Sequence, residues 1–416
     1  MTMRFLLIVL LSWLCPSSPT WGQTSSQRPE SALTLDACVT LALERHPLLQ
    51  ASRYRYEGSL SRINQARAFP QPTFAYDSDL QSSLFNFGGS GESYVGFAQT
   101  VEFPGRRSLR TRIAQKESDS VLTDIEIQRL DLRFQVKQTF YDLLHAQERL
   151  RYAQQDLEFS DSFLKTTEVK FGAGDIARVE VLRARVEAAQ AANTVRAATN
   201  AVRFGRAALN VLLGRAQSAP LEIVGELRQP HKDFQPEELQ RLALSSRPEI
   251  KRINLALEAE TLRKTEAVRT LLPDVDFGVS RHRLAGEATT WDVTIGASVP
   301  LFFRQPHRGP VAEAQANIDS LRREAEQLEH VVGLEVEEAY VDVLTADNQI
   351  RLFEDEILSE AEEAYNMFQF SYQEGEIGGL ELITARRTLV GARLAYADAL
   401  LKYAVALAAV EKTMGQ

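Results

Sequence analysis

The chain has 416 residues and a formal net charge of −9, with a quarter of its residues charged. This acidic balance excludes the broad basic field with which proteins bind nucleic acid, so we expect no nucleic-acid partner. A chain of this length would usually form two or three globular domains.

Residues 1–22 have the composition of a secretory signal peptide. MTMR supplies positive charge, FLLIVLLSWL is apolar, and CPSSPTWG is a polar end that closes on a small residue. We expect cleavage after Gly22, and Cys15 leaves a lipidated N-terminus as the alternative. The mature chain then keeps Cys38 alone, which we expect to be a small buried apolar residue. After residue 22 no apolar run approaches the length of a membrane-spanning helix.

A first pair of strands is predicted within about 72–103. In PTFAYDSDLQ the alternation places Phe74 and Tyr76 on one face, and in SYVGFAQTVEF it does the same for Val95 and Phe97. Apolar and polar residues that alternate over segments of about ten residues are typical of a membrane β-barrel. An ordinary half-buried sheet is the alternative.

A very long helix is predicted after this hairpin. Residues 106–170 contain neither proline nor glycine, and about 65 helical residues would extend roughly 100 Å. Four arginines near its start either contact lipid phosphates or begin a solvated helix. They are Arg106, Arg107, Arg110 and Arg112.

The motif FGAGD is predicted to join two helices of a coiled-coil pair over about 106–214. Gly172 and Gly174 are expected to end the first helix, because glycine tolerates the left-handed conformation found there. Asp175 is expected to cap the second helix. In that helix an alanine-rich stripe with steps of three and four predicts a coiled-coil seam. The tip is either a plain hairpin or a place where a conduit closes and a partner docks.

The chain repeats itself with an offset of 201 positions. FGAGDIARVEVLRAR at 171–185 and YQEGEIGGLELITAR at 372–386 share five identical residues. Long-period similarity of this kind indicates a duplicated architecture. We therefore predict one repeat over 23–214, a linker over 215–234, and a second repeat over 235–416.

The second repeat is predicted to contain a hairpin at about 273–301 and a helix pair at about 310–414. Its expected membrane-facing residues are Val275, Phe277, Trp291, Val293 and Ile295. Four strands cannot close a barrel, whereas three copies would supply twelve strands around a wet lumen. A conducting pore therefore requires at least a trimer.

The signal peptide, the two repeats and the tip motif together resemble the TolC-type outer-membrane efflux channels. The resemblance implies a mainly α fold with a β-barrel portion: a homotrimer with a twelve-stranded barrel in the lipid of the outer membrane of a Gram-negative-type bacterium. A coiled-coil α-helical tunnel would continue across the periplasm. Such proteins are passive exit ducts for an inner-membrane pump and a periplasmic adaptor, the membrane fusion protein.

The segment QTVEFPGRRSLRTRIAQKE is similar to the heavy-metal (cobalt-zinc-cadmium and copper) branch of that family. This resemblance implies a pump of the resistance-nodulation-division type and export of metal cations or small toxic compounds. It implies no cofactor and no catalysis.

The resemblance also assigns roles at the tips. Glu381 falls where the family carries an aperture carboxylate, and Thr384 falls where it carries a second one, which leaves a doubled acidic ring open. Glu374 and Glu376 would add negative charge, which attracts cations in a trimer. The alternative is that Glu381 is a solvated residue of the first helical turn. The adaptor is expected to dock at Gly172, Gly174, Asp175, Gly375, Gly378 and Gly379.

Other classes of function remain to be weighed. The six histidines are scattered without metal-ligand spacing, and no nucleophile elbow or phosphate-binding loop is present, so we predict neither a metal site nor an enzyme. The outlet of a type I protein secretion system is one alternative. A soluble periplasmic coiled-coil scaffold is another, but it gives Trp291, Val293 and Ile295 no reason to face water.

Overall fold

The computed structural model describes residues 32–78, 92–270, 272–283, 287–298 and 308–416. The first half contains α1 (Leu35–Arg45), α2 (Pro47–Arg67), β1 (Thr73–Ser78), β2 (Ser93–Val101), α3 (Arg106–Ala173) and α4 (Arg178–Leu212). The second half contains α5 (Pro236–Ser246), α6 (Pro248–Arg269), β3 (Val275–Arg283), β4 (Thr290–Ala297), α7 (Arg308–Leu352), α8 (Leu358–Gln373) and α9 (Gly379–Thr413). The predicted mainly α fold is confirmed, and the described ranges contain the four predicted strands. The signal peptide, with Cys15 and its cleavage site, lies outside the described residues. So do residues 79–91 of the first predicted hairpin and residues 284–286 and 299–301 of the second.

The first and last helices of the two halves recur at the same spacing. α5 begins 201 positions after α1 (236 − 35), and α9 begins 201 positions after α4 (379 − 178). The division into 23–214, a linker at 215–234 and 235–416 stays a prediction, because recurring elements do not mark where a folding unit ends. Within the described ranges, no helix is both apolar enough and long enough to cross a bilayer.

The largest apolar core lies where α1, α3, α4 and the 215–234 linker meet. Phe140 and Leu143 of α3 pack there with Leu209 of α4, and all three are buried. The linker contributes Leu221 to the same core. Cys38 is also fully buried here, as expected, and burial raises the pKa of its thiol to about 11.

The linker is also held by polar contacts with α7 and α9. The backbone N–H of Lys232 donates to the Tyr403 hydroxyl (3.1 Å), which donates to the carbonyl of Pro230 (3.3 Å). Between these residues, the ring of His231 lies 2.9 Å from a carboxylate oxygen of Asp347 and 2.9 Å from one of Asp233. The hydrogen bonds to Asp347 and then Asp233 raise the pKa of His231.

We expect His231→Gln to lower the melting temperature slightly at acidic pH and not at alkaline pH. Because the folded-state pKa is raised, the protonated ring contributes stability that is fully present below its unfolded pKa and lost as pH rises through the folded pKa. Thermal melts at about pH 5.5 and about pH 9 measure the difference. His330→Gln, which changes an exposed histidine of α7, is the control. An equal loss at both pH values would contradict the electrostatic role.

Toward the tips, the second repeat contains one residue more than the first between two matched positions. Ala146 matches Ala346 at an offset of 200, whereas Gly174 matches Gly375 at an offset of 201. Between these points the second repeat contains a π-helical turn, Phe353–Ile357, where α3 is continuous. A π turn inside an α-helix accommodates one added residue, so the helix continues past it in register.

The four strands form one antiparallel sheet in the order β1-β2-β3-β4. The pairing register aligns Phe74, Phe97, Val279 and Val293 across the sheet. Directly paired residues share a face and successive residues alternate, so these four side chains lie on the same side. Within the described residues, β1 and β4 each have one neighbouring strand, which leaves two open edges.

All residues predicted to face the membrane lie on this side, which we call the apolar face. It carries Phe74, Tyr76, Val95, Phe97, Val275, Phe277, Trp291, Val293 and Ile295. Phe74 on β1 and the side chains on β4 are the most open, at 73% exposed for Phe74 and Val293 and 69% for Trp291 and Ile295. The opposite face carries Asp276 and Asp292. Contact of the apolar face with lipid stays a prediction.

The arginines that follow the first hairpin are paired within the chain. Arg106 Nη1 lies 2.5 Å from Asp274 Oδ2, before β3, and Arg110 Nη1 lies 2.6 Å from Glu102 Oε1. Arg110 also donates to the carbonyl of Ala66 at the end of α2 (3.1 Å). These contacts fix the start of α3 to the ends of the strands, and contact of the four arginines with lipid phosphates stays a prediction.

Candidate gate at the helix tips

Both helix pairs turn in the same way at their tips. Gly174 follows α3 with φ 86°, and Gly375 follows α8 with φ 78°. In the first turn the N–H of Asp175 donates to the carbonyl of Lys170 (3.0 Å), and an equivalent bond forms 201 positions later. Both glycines are required because a Cβ is strained in the left-handed conformation.

Two predictions about the first turn are wrong. Gly172 does not end α3, since it lies inside the helix and only Gly174 is left-handed. Asp175 does not cap α4, because the N-cap is Ala177 and no side chain caps this end. The N–H of Asp175 closes the end of α3, so Asp175 is the last residue of one turn and comes before the start of the next helix.

The second tip approaches the first at Gly379. Gly379 is buried at the start of α9, and a Cβ there would lie 2.7 Å from Cζ of Phe163 on α3. Gly378 is the N-cap of α9. Gly174 and Gly375 have open space around them, so they supply turn geometry, whereas Gly379 permits close contact between the two helix pairs.

The predicted gate residues all lie exposed on the second tip. Glu374 and Glu376 are in the turn, and Glu381 and Thr384 are in the first turns of α9. Among the described residues, none of the three carboxylates has an ion-pair partner. Thr384 is uncharged, and its hydroxyl donates to the carbonyl of Leu380 (2.8 Å).

Aromatic rings join the two helix pairs just above the tips. The tip cluster consists of Phe159 and Phe163 on α3 and Tyr365 and Tyr372 on α8. Ring centroids are 6.2 Å apart for Phe159 and Tyr365 and 5.6 Å apart for Phe163 and Tyr372. The Lys170 ammonium lies 4.5 Å from the Tyr372 ring centroid, and burial raises the pKa of the Tyr372 phenol. Such contacts add stabilising free energy to that gained by burying the rings.

Arg386 of α9 fixes the second helix pair to the first. Its Nε lies 3.4 Å from Asp156 Oδ1, and its Nη2 donates to the carbonyl of Gln155 (3.4 Å). The guanidinium carbon lies 5.1 Å from the Phe159 ring centroid and 5.5 Å from that of Tyr365. The side chain is only 12% exposed, so its contacts are partly shielded from water.

Sequence reasoning missed this role of Arg386. The equivalent residue of the first repeat, Arg185, also follows an alanine, yet it pairs with Glu168 within its own helix pair (2.8 Å), and both side chains are exposed. A second link that crosses the two pairs joins Arg387 to Glu187, with Nε 2.9 Å from Oε1. The two repeats are alike in this motif, so only the packing of one pair on the other reveals the difference.

The tips present charge and aromatic packing. In the part of the chain that the structure describes, no group of three or more histidine, cysteine, aspartate or glutamate side chains is placed to hold a metal ion. Exposed carboxylates act on passing ions through their field, which falls off over the Debye length.

Two repeats of a strand hairpin and a long helix pair, with an exposed apolar face on the sheet and tips in mutual contact, define the class of outer-membrane efflux channels. The family model described as outer membrane efflux protein matches residues 38–215 and again residues 239–416. The chain belongs to this family. The expected outer-membrane location and the role as an exit duct for efflux are thereby confirmed.

Two relatives match most of the chain. It is 26% identical over 398 residues to the cobalt-zinc-cadmium resistance protein CzcC of Cupriavidus metallidurans, which covers 92% of this chain and 90% of the relative. It is 24% identical over 352 residues to Protein CyaE of Bordetella pertussis, which covers 81% of this chain and 73% of the relative.

Solved structures share the fold. The CmeC outer membrane channel of Campylobacter jejuni matches with a TM-score of 0.78 at 17% identity, covering 92% of this chain and 85% of that one. CusC matches with a TM-score of 0.78 at 16% identity, covering 91% of each chain. The open MtrE outer membrane channel of Neisseria gonorrhoeae matches with a TM-score of 0.76 at 19% identity, covering 92% and 88%.

Proposed function

We propose that three copies of the chain form an outer-membrane duct that passes metal cations delivered by a periplasmic adaptor and an inner-membrane pump. The observation that carries this proposal is the sheet, whose apolar face is exposed on four strands and whose two edges are open. Twelve strands from three copies would close into a barrel with a lumen, with the apolar face toward lipid and the aspartates toward water.

The helical layer also has two open edges. α3 packs against α4 and α9, and α9 packs against α7 and α8, while α6 packs between α3 and α7 elsewhere along their length. Among the helices that form the two pairs, the order is therefore α4, α3, α9, then α7 with α8. Apolar side chains on both outer helices are exposed: Val179, Leu182, Val186, Phe204 and Val211 on α4, and Leu334, Val341, Leu344 and Leu352 on α7.

The charges of the two edges are complementary. α4 has six arginines and two glutamates, a formal charge of +4. α7, the π turn and α8 together have four arginines and sixteen aspartates and glutamates, a formal charge of −12. α4 of one copy therefore fits the α7–α8 edge of the next, and opposite charge favours that register over pairing of like edges. In this arrangement each predicted repeat supplies one of the two helix pairs that a copy contributes to the tunnel.

Metal cations are the proposed cargo because CzcC, whose printed name specifies cobalt, zinc and cadmium resistance, matches along almost the whole chain. The adaptor is proposed to dock on the exposed tips at Gly172, Gly174, Asp175, Gly375, Gly378 and Gly379, and the pump to be of the resistance-nodulation-division type. Membership of the efflux family does not support the soluble scaffold. The type I secretion outlet stays the competing role.

Reconstitution tests the proposal. The detergent-solubilised protein should have the mass of three chains by light scattering, and it should form conducting channels in planar bilayers. A protein that is monomeric and does not associate with lipid would overturn the proposal. Release of the protein from membranes by salt alone would do the same.

We expect Glu381→Gln to reduce the cation preference of the channel several-fold, because three symmetry-related carboxylates near one axis would otherwise favour cations. Reversal potentials in a salt gradient measure this preference. Glu180→Gln is the matched control, since Glu180 is the equivalent residue of the first repeat and pairs with Arg183 at 3.0 Å. Unchanged selectivity in Glu381→Gln, or an equal change in both variants, would exclude Glu381 as the filter.

A further inference from the structure

The apolar face ends in two arginines. β3 places Arg281 and Arg283 on that face, because they alternate with residues of the opposite side and Arg281 pairs with Val95 and Trp291 across the sheet. Both arginines are exposed. His282 lies between them and points to the other face, where its Nε2 is 2.6 Å from Glu92 Oε1.

These two arginines have no acidic partner. Within the described residues, neither forms an ion pair or a side-chain hydrogen bond. Two arginines at the opposite end of the strands are different, since Arg106 is held by Asp274 and Arg110 by Glu102. The chain therefore neutralises Arg106 and Arg110 at the helix end of the sheet and leaves Arg281 and Arg283 unpaired at the far end.

The position of the arginines fits the border of a bilayer. Arg281 is six residues beyond Val275 along β3, which is roughly 20 Å at the rise of an extended strand. Trp291 is its neighbour on β4 and is 69% exposed, and Tyr76 lies on β1 in the same row of the sheet. Tryptophan and tyrosine gather where membrane barrels meet the headgroups, so this row marks such a boundary.

We propose that Arg281 and Arg283 bind the phosphate groups of the phosphorylated glycolipid in the outer leaflet. The inference rests on the proposed placement of the sheet in the membrane. A guanidinium on a lipid-covered face requires an anion, and its planar fork matches phosphate oxygens in a bidentate contact. Two arginines on one face of a strand are spaced at about 7 Å, so they reach two phosphates or two sides of one.

A lipid is favoured over a soluble anion by the surroundings of the site. The arginines adjoin Val95 and Trp291, whose side chains are exposed, so among the described residues a free phosphate would gain charge contact alone. A glycolipid places its acyl chains along Val279 and Val293 while its phosphates meet the arginines, which adds apolar burial to the ion pairs.

Trp291 provides a built-in probe of this site. The chain has three tryptophans, at positions 13, 21 and 291, and the first two lie in the predicted signal peptide. In the mature protein, fluorescence from tryptophan therefore reports on the neighbour of Arg281. The purified protein in detergent is titrated with bisphosphorylated lipid A, with the same glycolipid after removal of its phosphates, and with inorganic phosphate.

We expect saturable binding of bisphosphorylated lipid A, and about thirtyfold weaker binding to the variant Arg281→Gln/Arg283→Gln, since each arginine at an anionic lipid surface is worth about fivefold. Arg322→Gln, which makes the same change on α7, should bind as the wild type does. Equal affinity of the double variant, or equal binding of the dephosphorylated glycolipid, would overturn the proposal. Displacement of lipid A by inorganic phosphate would assign the site to a free anion instead.

Planar bilayers separate this inference from the proposed function. The double variant should form channels of wild-type conductance, because its changes lie outside the lumen and away from the tips. If the wild type conducts and shows no preference for phosphorylated lipid, only the lipid site is wrong. If the wild type forms no channels, the membrane placement is wrong as well.

Discussion

The double variant Val293→Arg/Ile295→Arg is expected to lose stable insertion into bilayers. Both side chains lie on the apolar face of β4 and are about 70% exposed. An arginine on the lipid face of a barrel costs about 2–4 kcal/mol near the bilayer centre, and a trimer would carry six of them. The frequency of channel formation in planar bilayers should therefore fall at least about a hundredfold.

The matched control changes the other face of the same strand. Asp292→Arg/Thr294→Arg introduces two arginines at neighbouring positions whose side chains point away from the apolar face. This control should insert, with an altered ion preference, because its arginines would meet water. Equal insertion of both double variants would show that the apolar face does not contact lipid.

The variant Arg386→Ala is expected to open the tips. It removes the contacts with Asp156 and Gln155 and the packing on Phe159 and Tyr365, which join the two helix pairs of one chain. A partly buried guanidinium with these partners contributes about 2 kcal/mol, so the ratio of open to closed channels should rise about thirtyfold. The fraction of time spent in the high-conductance state of single channels measures this ratio.

Arg185→Ala separates an effect on the gate from a general loss of stability. Arg185 holds the equivalent position in the first repeat, but it pairs with Glu168 on the surface of its own helix pair. Exposed ion pairs contribute little, so gating should be unchanged. If both variants open the channel equally, or if neither does, Arg386 is not the link that keeps the tips together.

Much of the fold could be predicted from local patterns. The absence of proline and glycine after Arg106 predicted a helix that the structure extends to Ala173, and the glycine of each turn is left-handed where the helix ends. Alternation in the strands placed Val293 and Ile295 on one face, as the register shows. These features depend on periodicity and backbone conformation, which neighbouring residues decide.

The contacts between distant helices could not be predicted in this way. Arg386 and Arg185 end motifs that share five of fifteen residues, and only the packing of α9 on α3 gives Arg386 a partner across the tip. The same holds for Arg106, whose partner Asp274 is 168 positions away. The prediction for Asp175 failed for a local reason. Its N–H donates to a carbonyl at the end of α3, and its side chain does not cap α4.

The π turn at Phe353–Ile357 lies where the second repeat is one residue longer than the first. One residue inserted into a continuous α-helix would rotate every later side chain by about 100° and disrupt each contact beyond the insertion. Here the π turn takes up the extra residue, and the motifs before and after it still correspond. Deletion of one residue there, for example Asp355, should therefore leave a folded protein. The number of residues along a long helical tube of this kind can change while both of its ends keep their contacts.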